Sequence, residues 1–494
     1  MPQERPCARE GAASPGVCSG VPGLDEILGG GFPQNRITLI TGGPGAGKTT
    51  LGLQFLSAGA REGERGLFLA LSETAEELQA AAASLSISLN GIEVAEVLPP
   101  AESTPEATLF QAGEIELSDA AHRIIEQIER VKSRRVVIDF VSALRLLFQD
   151  ELQFQRYLLT LKRLAQQGMT MLLVEAGAGD LHLRVFANGI VELEKLSREY
   201  GTIRRRLSVS KLRGTAYPTG FHDFSIDTGG LTVYPHAEPP MQPLQPPPRE
   251  TMSSGLPELD AVLGGGLRLG SSALFLGASG SGKSTLASQF AVAAALRGDP
   301  ALILSIDERC EDCTLRCRGL GIDIDGARAT GRFRLERLDP VGISPGQFSR
   351  KVLNGVANYG ARVVVIDTVS GYMSAMREER SVVLQFRELL GFLAARHVLT
   401  LLLLSDPVLL GQRPTAPLYI GYMSDAILVF RFFERHGAVH RCIAMLKKRY
   451  GPHDSGIHEL KLEPGRISVG PTLTDMRGIM TGYPAGSAPT DEHH

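Results

Sequence analysis

The sequence has no tryptophan, few other aromatic residues and little net charge. None of its 494 residues is Trp, and aromatic residues make up 6%. The formal net charge is −3, so the chain lacks the overall basic character that obligatory DNA or RNA binding requires. The run Arg204–Arg206 is a local basic candidate, but it lies in an alternating, strand-like segment beside acidic residues. That setting favours a solvated or subunit-facing edge over a nucleic-acid contact.

Long apolar runs and a disulfide framework are missing as well. No apolar run reaches the roughly 20 residues of a membrane span, and residues 1–16 hold no stretch of signal-peptide type. We therefore expect a cytoplasmic protein without membrane contact. The six cysteines are scattered, which is typical of reduced thiols in a long intracellular chain.

Three of the cysteines, Cys310, Cys313 and Cys317, are grouped. Their i, i+3, i+7 spacing places them on one face of a helix. A zinc site would need a fourth ligand and is more often built on a loop or a ribbon. The spacing favours thiols that face the core, with redox sensing or metal binding as the alternatives.

Two glycine-rich segments carry the chemistry of the chain. Both fit the phosphate-loop pattern G-x-x-x-x-G-K-[ST], and each lies between an apolar, strand-like run and a helix-compatible stretch. In this motif, backbone N–H groups point at a phosphate, the lysine supplies a positive charge, and the Ser or Thr hydroxyl holds Mg²⁺. The predicted nucleotide-binding residues are Gly42, Gly43, Pro44, Gly45, Ala46, Gly47, Lys48, Thr49 and Thr50 in the first loop, and Gly277, Ala278, Ser279, Gly280, Ser281, Gly282, Lys283, Ser284 and Thr285 in the second.

The two loops belong to an internal repeat. Lys48 and Lys283 are 235 residues apart, and the same offset aligns Ser19–Asp25 with Ser254–Asp260. An offset shared by several motifs indicates a duplicated domain, because chance matches would not keep one spacing.

Each copy alternates apolar, strand-like runs with longer helical patterns. This alternation predicts an α/β fold in which a mostly parallel sheet is covered by helices. We place the first domain at residues 17–234 and the second at residues 251–466. Residues 235–250 are rich in proline and predict a semi-rigid linker, while residues 1–16 and 467–494 predict flexible termini.

Acidic residues follow the strands beside each loop. Asp139 and Asp367 each end an apolar run, a position from which a carboxylate holds Mg²⁺ directly or through water. Together with Thr49 and Ser284, they are the predicted metal ligands. An aspartate that only caps the following turn is the alternative.

Hydrolysis also needs a group that orients the attacking water. A carboxylate follows another strand in each copy, where it could lie in line with a terminal phosphate. The alternative is a surface carboxylate that only stabilises the N-terminus of the following helix through the helix dipole. The predicted catalytic residues are Lys48, Glu73, Lys283, Asp307 and Glu308.

The order of these motifs resembles that of the KaiC family of RecA-like ATPases. It comprises S-G-x-P-x-L-D-x-x-L-G-G-G, the phosphate loop, the acid after a strand, the strand ending in Asp and a terminal Lys-x-Arg. The resemblance runs from about Ser19 to Val469 and includes both copies. It implies two tandem RecA-like P-loop NTPase domains that bind ATP and Mg²⁺. It also implies a homohexamer of two stacked rings, with ATP between neighbouring subunits.

The resemblance further implies residues that act across the subunit boundary. Lys211 and Arg213, within K-L-R-G-T, match basic residues that reach a neighbour's ATP phosphates in the family. Lys447 and Arg449 take these positions in the second copy, where Tyr450 replaces the usual glycine. Basic groups supplied in trans stabilise transition-state charge, as an arginine finger does.

Two departures from the family pattern concern catalysis. The family has adjacent glutamates after the second strand, whereas the first copy has Ser72 before Glu73. This difference predicts weaker turnover in the first domain. The family's Ser and Thr phosphoacceptors correspond to Gly421 and Tyr422, so Ser/Thr autokinase activity does not carry over at the usual site. Tyr422 and Ser424 are the alternative hydroxyl groups.

Three functions are open at this point. The first is a KaiC-like ATPase that hydrolyses ATP at subunit interfaces and drives a signalling or timing switch with protein partners. The second is a DNA-acting RecA-like motor of the recombinase or helicase type, which the duplicated motor domain and the slightly acidic charge disfavour. The third is a nucleotide-binding assembly protein with little turnover, which Ser72 favours for the first copy.

Overall fold

A computed structural model gives the fold of most of the chain. It describes residues 16–97, 112–145, 148, 150–177, 180–197, 203–236, 250–376, 382–405, 418–474, 476–477, 479 and 485–486. The predicted proline-rich linker and the predicted N-terminal segment lie largely outside these residues, whereas the predicted C-terminal tail lies partly within them. The chain divides into two compact units, Met1–Pro235 and His236–His494.

The first unit contains a nine-stranded sheet. Its elements are α1 (Leu24–Ile27), β1 (Ile37–Gly42), α2 (Lys48–Arg61), β2 (Gly66–Ala70), α3 (Ala75–Ser84), β3 (Ile92–Glu96), α4 (Ala112–Val131), β4 (Arg135–Asp139), α5 (Val141–Arg145), α6 (Glu151–Gln166), β5 (Thr170–Ala176), α7 (Leu181–Phe186), β6 (Gly189–Leu196), β7 (Arg204–Leu212), β8 (His222–Asp227) and β9 (Gly230–Tyr234). The strand order is β3-β2-β4-β5-β1-β6-β7-β8-β9. Strands β1 to β6 pair in parallel, and β7 to β9 extend the sheet in antiparallel fashion.

The second unit repeats this plan. Its elements are β10 (Thr251–Met252), α8 (Pro257–Val262), β11 (Leu267–Arg268), β12 (Ser272–Gly277), α9 (Lys283–Leu296), β13 (Ala301–Ser305), α10 (Cys310–Gly319), α11 (Ile324–Ala329), β14 (Phe333–Arg337), α12 (Pro345–Ala357), β15 (Val363–Asp367), α13 (Val369–Ala375), α14 (Val382–Ala395), β16 (Leu399–Ser405), α15 (Leu418–Met423), β17 (Ala426–Arg435), β18 (Ala438–Lys448), β19 (Ile457–Glu463), β20 (Arg466–Thr472), β21 (Met476–Arg477) and β22 (Ala485–Gly486). The nine-stranded sheet has the order β14-β13-β15-β16-β12-β17-β18-β19-β20.

Apolar side chains cover both faces of each parallel sheet. Along β1, Ile40 packs with Phe55 of α2 on one face, and Leu39 packs with Leu161 of α6 on the other. Each fully buried Leu, Ile or Phe of this kind stabilises the fold by about 1.5–3 kcal/mol. This packing confirms the predicted α/β architecture. Among the described residues, no helix is long and apolar enough to cross a bilayer.

Two expectations about the antiparallel part need correction. The second sheet continues to Thr472, beyond the domain boundary predicted at residue 466, because Ile467 and Val469 alternate into the core as a strand requires. The basic run Arg204–Arg206 does not lie at an edge, because β8 pairs with β7 on the side away from β6. Arg204 is buried as a result.

Each antiparallel ribbon contains a β-bulge at an equivalent point. In the first sheet Ser210 of β7 is the extra residue, immediately before Lys211. In the second sheet Leu446 of β18 is the extra residue, immediately before Lys447. A bulge interrupts the regular alternation of side chains and re-aims the residues beside it.

Candidate nucleotide sites

Each phosphate loop joins the central strand of its sheet to the helix that follows. In the first unit β1 ends at Gly42 and α2 begins at Lys48, and in the second β12 ends at Gly277 and α9 begins at Lys283. Neither helix has a side-chain cap at its N-terminus. Its first N–H groups are therefore free to bind an anion such as a phosphate.

The glycine before each lysine is required by the loop geometry. Gly47 and Gly282 both have φ of 106°, a conformation that L side chains rarely adopt. A Cβ atom would also lie 2.6 Å from Ile226 Cδ1 in the first loop and 2.8 Å from Leu460 Cδ2 in the second. A larger residue would be strained by this φ and would have to displace the tip of Ile226 or Leu460.

Both loop lysines lie folded over their loops. Lys48 Nζ donates to the carbonyl oxygens of Gly42 and Gly43 at 2.8 and 3.0 Å. Lys283 Nζ donates to the two equivalent carbonyl oxygens, each at 2.7 Å. Burial lowers the pKa of Lys48, while Asp139 and Glu175 raise it. These carboxylates therefore help to keep the buried ammonium charged.

The predicted magnesium ligands come together in both units. Thr49 Oγ1 donates to Asp139 Oδ2 at 2.8 Å, and Ser284 hydrogen-bonds Asp367. Both aspartates are buried. Burial raises the pKa of Asp139, and it raises the pKa of Asp367 to about 6. A hydroxyl beside a carboxylate at the end of a strand is an oxygen donor set that suits Mg²⁺.

The candidate acid of the first unit, Glu73, lies between β2 and α3. Partial desolvation, followed by the charge of Asp139, raises the pKa of this largely exposed glutamate. The cap of α3 is formed by other residues, because Thr74 Oγ1 accepts from the backbone N–H of Glu77 at 3.2 Å and the Glu77 side chain accepts from the backbone N–H of Thr74. Glu73 is thus not needed to start the helix.

The two candidate acids of the second unit are held by specific partners. Asp307 Oδ2 accepts from Thr368 Oγ1 at 2.6 Å. Glu308 forms a two-pronged ion pair with Arg316, with N···O distances of 2.8 and 3.2 Å. Arg316 Nη1 also donates to Thr285 Oγ1 at 3.2 Å. Arg316 therefore ties Glu308 to the helix that begins at the phosphate loop.

Sequence reasoning missed Arg316, Thr368 and Glu175. Glu175 lies in β5 opposite Thr41, the residue before the first phosphate loop. It accepts from the N–H of Ala176 at 2.9 Å and lines a cavity of about 290 Å³. Burial raises the pKa of Glu175. A lone glutamate ending an apolar strand was the available signal in the sequence.

The predicted trans-acting residues of the first unit lie away from its phosphate loop. Lys211 pairs with Ile190, near the start of β6. Its Nζ donates to the carbonyl oxygens of Arg184 and Val185 at 2.7 and 3.0 Å. Burial, followed by the charge of Arg213, lowers the pKa of Lys211.

The basic pair of the second unit, Lys447 and Arg449, likewise makes its contacts away from the phosphate loop. Lys447 Nζ donates to the carbonyl oxygens of Ser424 and Gly421 at 2.6 and 3.1 Å. Arg449 is half exposed and pairs with Asp425 at 3.2 Å. The contacts of Lys447 and Arg449 are therefore made to α15 and the start of β17, and not to the phosphate loop of their own unit.

The two alternative hydroxyl groups differ in accessibility. Ser424 is buried, and its Oγ donates to the carbonyl oxygen of Ile420 at 2.9 Å. The Tyr422 side chain is 74% exposed. Of these two groups, only Tyr422 is open to a reagent.

The cysteine group lies on α10, and the structure separates its members. Cys313 and Cys317 face the core, whereas Cys310 is partly exposed. Within the described part of the chain, no three His, Cys, Asp or Glu side chains are arranged to hold a metal ion. The core-facing prediction is therefore confirmed for Cys313 and Cys317.

The basic run on β7 is engaged within the first unit. Arg206 Nε donates to Glu194 at 2.7 Å, and the Arg206 guanidinium lies over the ring of Phe221. The charge and the flat face of the Arg206 side chain are thus both occupied by contacts within the first unit. They do not favour a nucleic-acid surface at this position.

Comparison with known proteins matches both units to the same family model. A family model described as ATPase: KaiC matches residues 17–238 and 252–474. The circadian clock oscillator protein KaiC of Thermostichus vulcanus is 26% identical over 495 aligned positions, covering 98% of this chain and 94% of that protein. The circadian clock protein KaiC3 of Synechocystis sp. is 25% identical, covering 96% and 95%. KaiC2 of the same organism is 26% identical, covering 94% and 83%.

Proposed function

The chain belongs to the KaiC family of ATPases, and we propose that it binds ATP with Mg²⁺ at both phosphate loops and uses hydrolysis to drive a signalling or timing switch. Relatives named as circadian clock proteins cover nearly the whole chain. The observation that carries the proposal is the hydroxyl and carboxylate pair beside each loop lysine, Thr49 with Asp139 and Ser284 with Asp367. A binding site for a nucleotide alone would not require this pair.

The residues of each loop would bind the phosphates of ATP. The first N–H groups of α2 and α9, which have no side-chain cap, would bind phosphate oxygens, and Lys48 or Lys283 would turn to them from the loop carbonyls. Mg²⁺ held by the hydroxyl and carboxylate pair would neutralise charge on the phosphate oxygens. Two complete sets of these residues favour two nucleotides per chain.

The acid of the second unit is the better placed of the two to orient water. Glu308 is fixed by Arg316, which limits the rotamers of its side chain. Glu73 of the first unit is exposed. We therefore propose that the second site carries most of the turnover, and that the first site mainly binds nucleotide and supports assembly.

Hexamer formation would complete each site. Lys211 and Arg213, like Lys447 and Arg449, would contact the phosphates of the ATP bound to the adjacent subunit. Basic groups supplied in this way would stabilise charge in the transition state of hydrolysis. The partners we propose are five further copies of this chain and proteins of a signalling system.

Gel filtration combined with a phosphate-release assay tests this proposal. We expect ATP with Mg²⁺ to convert the chain to a hexamer that hydrolyses ATP slowly. Arg449→Ala should preserve ATP binding and lower turnover by about 100-fold, the loss typical of a missing transition-state charge. Arg318→Ala is the matched control, because Arg318 is an exposed arginine that pairs with Asp325 on the surface. A chain that stays monomeric with ATP would refute the shared site.

The same reactions separate the remaining alternatives. Phosphoprotein analysis would detect transfer to Tyr422, the exposed hydroxyl beside Arg449. Stimulation of turnover by single-stranded DNA would instead favour the DNA motor, a function that the internal pairing of Arg206 disfavours.

A further inference from the structure

A cavity of about 420 Å³ lies on the second unit beside Arg449. It is bounded by α14, by α15 and by the starts of β12 and β16. The second phosphate loop follows the opposite end of β12, so this cavity is separate from the nucleotide site of its own unit. The cavity is lined by apolar and charged side chains, which include Leu390, Ala394, Val398, Met423, Arg387 and Arg449.

The charges at this cavity do not cancel. Asp425 is the only acid among the described residues that line it. Its Oδ2 accepts from the N–H of Ser272 at 3.1 Å, and its Oδ1 accepts from Arg449 Nη1 at 3.2 Å. Arg387 is exposed and has no hydrogen bond or ion pair within the described part of the chain. Two arginines against one occupied aspartate leave one positive charge for a ligand.

The first unit differs from the second at this place. Strands β5 and β16 hold equivalent positions, and counting back from their first residues along α6 and α14 aligns Lys162 with Gly391. The same count aligns Leu158, which is buried, with Arg387. Lys162 Nζ lies over the ring of Phe186, 5.5 Å from its centre, whereas a Cβ atom on Gly391 would meet no atom of the surrounding residues within 4 Å. The second unit thus has open space and a free arginine where the first has packed side chains.

We propose that this cavity is a binding site for a small carboxylate with an apolar body, which competes for Arg449 and lowers ATP turnover at the second site. The binding itself rests on the residues of the cavity. The effect on turnover rests on the proposed function, in which Arg449 contacts the ATP of the adjacent subunit.

The chemistry of the ligand follows from the walls of the cavity. A guanidinium group holds a carboxylate by two parallel hydrogen bonds, and the donors of Arg387 are available for this contact. A single negative charge balances the one positive charge that Asp425 leaves over. Apolar walls formed by Leu390, Val398 and Met423 favour a body of carbon atoms over a hydrated inorganic ion. Benzoate satisfies each of these conditions and is small enough for the cavity.

Arg449 connects the cavity to turnover. Its guanidinium is half exposed and donates to Asp425 and to the carbonyl oxygen of Tyr422, both at 3.2 Å. A carboxylate bound beside it would attract this guanidinium and compete with the phosphates of ATP on the adjacent subunit. The two ligands would therefore weaken each other. Turnover at the second site should fall by about fivefold, the lower end of the usual coupling between two sites.

Calorimetric titration of the nucleotide-free full chain tests the site directly. Sodium benzoate should bind at one site per chain, whereas benzamide, which has a similar shape and no charge, should not bind. Acetate keeps the charge and lacks the ring, so it should bind about tenfold more weakly. Gly391→Leu should remove binding by filling the cavity, and Arg387→Gln should weaken it by about tenfold. Arg396→Gln is the matched control, because Arg396 is an exposed arginine just after α14 whose guanidinium lies over Phe392.

Phosphate release by protein that carries Lys48→Ala measures the effect on the second site. With ATP and Mg²⁺, saturating benzoate should lower the release by about fivefold, and benzamide should have no effect. More ATP should relieve the inhibition, because the two anions compete for Arg449. The rates with and without benzoate are compared within each variant. Gly391→Leu should abolish the response, and Arg396→Gln should retain it.

Each outcome bears on a separate step. If benzoate does not bind the unaltered chain, or binds the Gly391→Leu and Arg387→Gln proteins equally well, the site is refuted. Equal binding of benzamide refutes the role of charge, and equal binding of acetate refutes the apolar body. If benzoate binds and turnover does not change, the competition for Arg449 is refuted. If release is absent without benzoate, the proposed ATPase function fails, and calorimetry still decides whether the cavity binds. Arg387→Gln alters an exposed side chain and tests the site should Gly391→Leu not fold.

Discussion

The two nucleotide sites of this chain share their phosphate loops and differ around the catalytic acid. Both keep the loop lysine and the hydroxyl and carboxylate pair, which are the groups that hold phosphate and Mg²⁺. At three equivalent positions the first site has Ser72, Phe140 and Ala81, whereas the second has Asp307, Thr368 and Arg316. In the second site Thr368 donates to Asp307 and Arg316 pairs with Glu308, whereas Phe140 and Ala81 of the first site cannot supply either contact. Nucleotide binding and acid positioning are thus separable parts of one duplicated fold.

A second difference runs in the opposite direction. Glu175 of the first unit lies opposite Thr41, and Leu404 of the second lies opposite Leu276, at the equivalent point of the sheet. The first site therefore has an added buried carboxylate near Lys48, at a position where the second site has Leu404. This carboxylate adds negative charge close to the place where phosphates would bind.

The largest expected effect concerns the acid of the second site. Glu308→Gln, compared in protein that also carries Lys48→Ala, should lower phosphate release by about 100-fold, because the amide keeps the shape and loses the basic oxygen. Glu311→Gln on the exposed side of α10 is the control and should have little effect. Equal turnover in the Glu308 and Glu311 variants would show that Glu308 is not the acid.

Removal of each loop lysine in turn measures the inequality of the sites. Lys283→Ala should lower total ATP hydrolysis by about tenfold and Lys48→Ala by about twofold, because the supported acid lies in the second unit. Both variants are compared at a concentration at which gel filtration shows the same oligomer. The reverse order would place the main activity in the first unit and contradict the proposed division of roles.

Rebuilding the acid network in the first unit is a smaller test. Ser72→Asp together with Phe140→Thr supplies the pair seen as Asp307 and Thr368 and should raise first-site turnover by about fivefold in protein with Lys283→Ala. Ser72→Asp alone should give less than half of that gain, since the new carboxylate has no hydroxyl partner. If the single change matched the double change, the hydroxyl would not be a supporting group.

The smallest expected effect belongs to Glu175. Glu175→Gln should tighten ATP binding at the first site by about threefold at pH 8, because it removes a negative charge near the phosphates. As the raised pKa of Glu175 favours its neutral form at lower pH, the advantage of the variant should shrink as pH falls. Titration with a fluorescent ATP analogue in protein with Lys283→Ala measures both trends. Glu175→Leu removes the same charge and also changes the shape of the side chain. A change in ATP affinity that both variants share is therefore due to the charge.

Some parts of the sites were predictable from the sequence because local geometry dictates them. The loop glycine Gly47 is required by a backbone with φ of 106°. Thr49 at the start of α2 meets Asp139 because α2 packs on β4, the strand that ends in Asp139. Arg316 could not be predicted in the same way. Its partner Glu308 lies eight residues earlier, just before α10, and its partner Thr285 lies on α9, which only the packing of α10 against α9 brings near.

The errors have a similar physical origin. β20 was assigned to a flexible tail because Gly and Pro near it resemble a terminus, whereas its Ile467 and Val469 complete the second core. β7 was assigned to an edge because the sequence does not show which strands pair beyond it. In both cases the missing information was that one antiparallel strand pairs with the next along the chain, which patterns within a single strand do not show.

Because of the two β-bulges, the number of residues in each strand determines the direction in which the basic side chains leave the sheet. One unpaired residue, Ser210 or Leu446, sets the direction in which the following lysine leaves its ribbon. Deleting that residue would restore a regular ladder and turn the lysine to the opposite face of the sheet, with no change in charge or composition at the pair itself. The direction of the Lys211 and Lys447 side chains thus depends on the number of residues in the strand as well as on residue type. Deleting one residue at either bulge would keep the fold and turn the lysine away from its present direction.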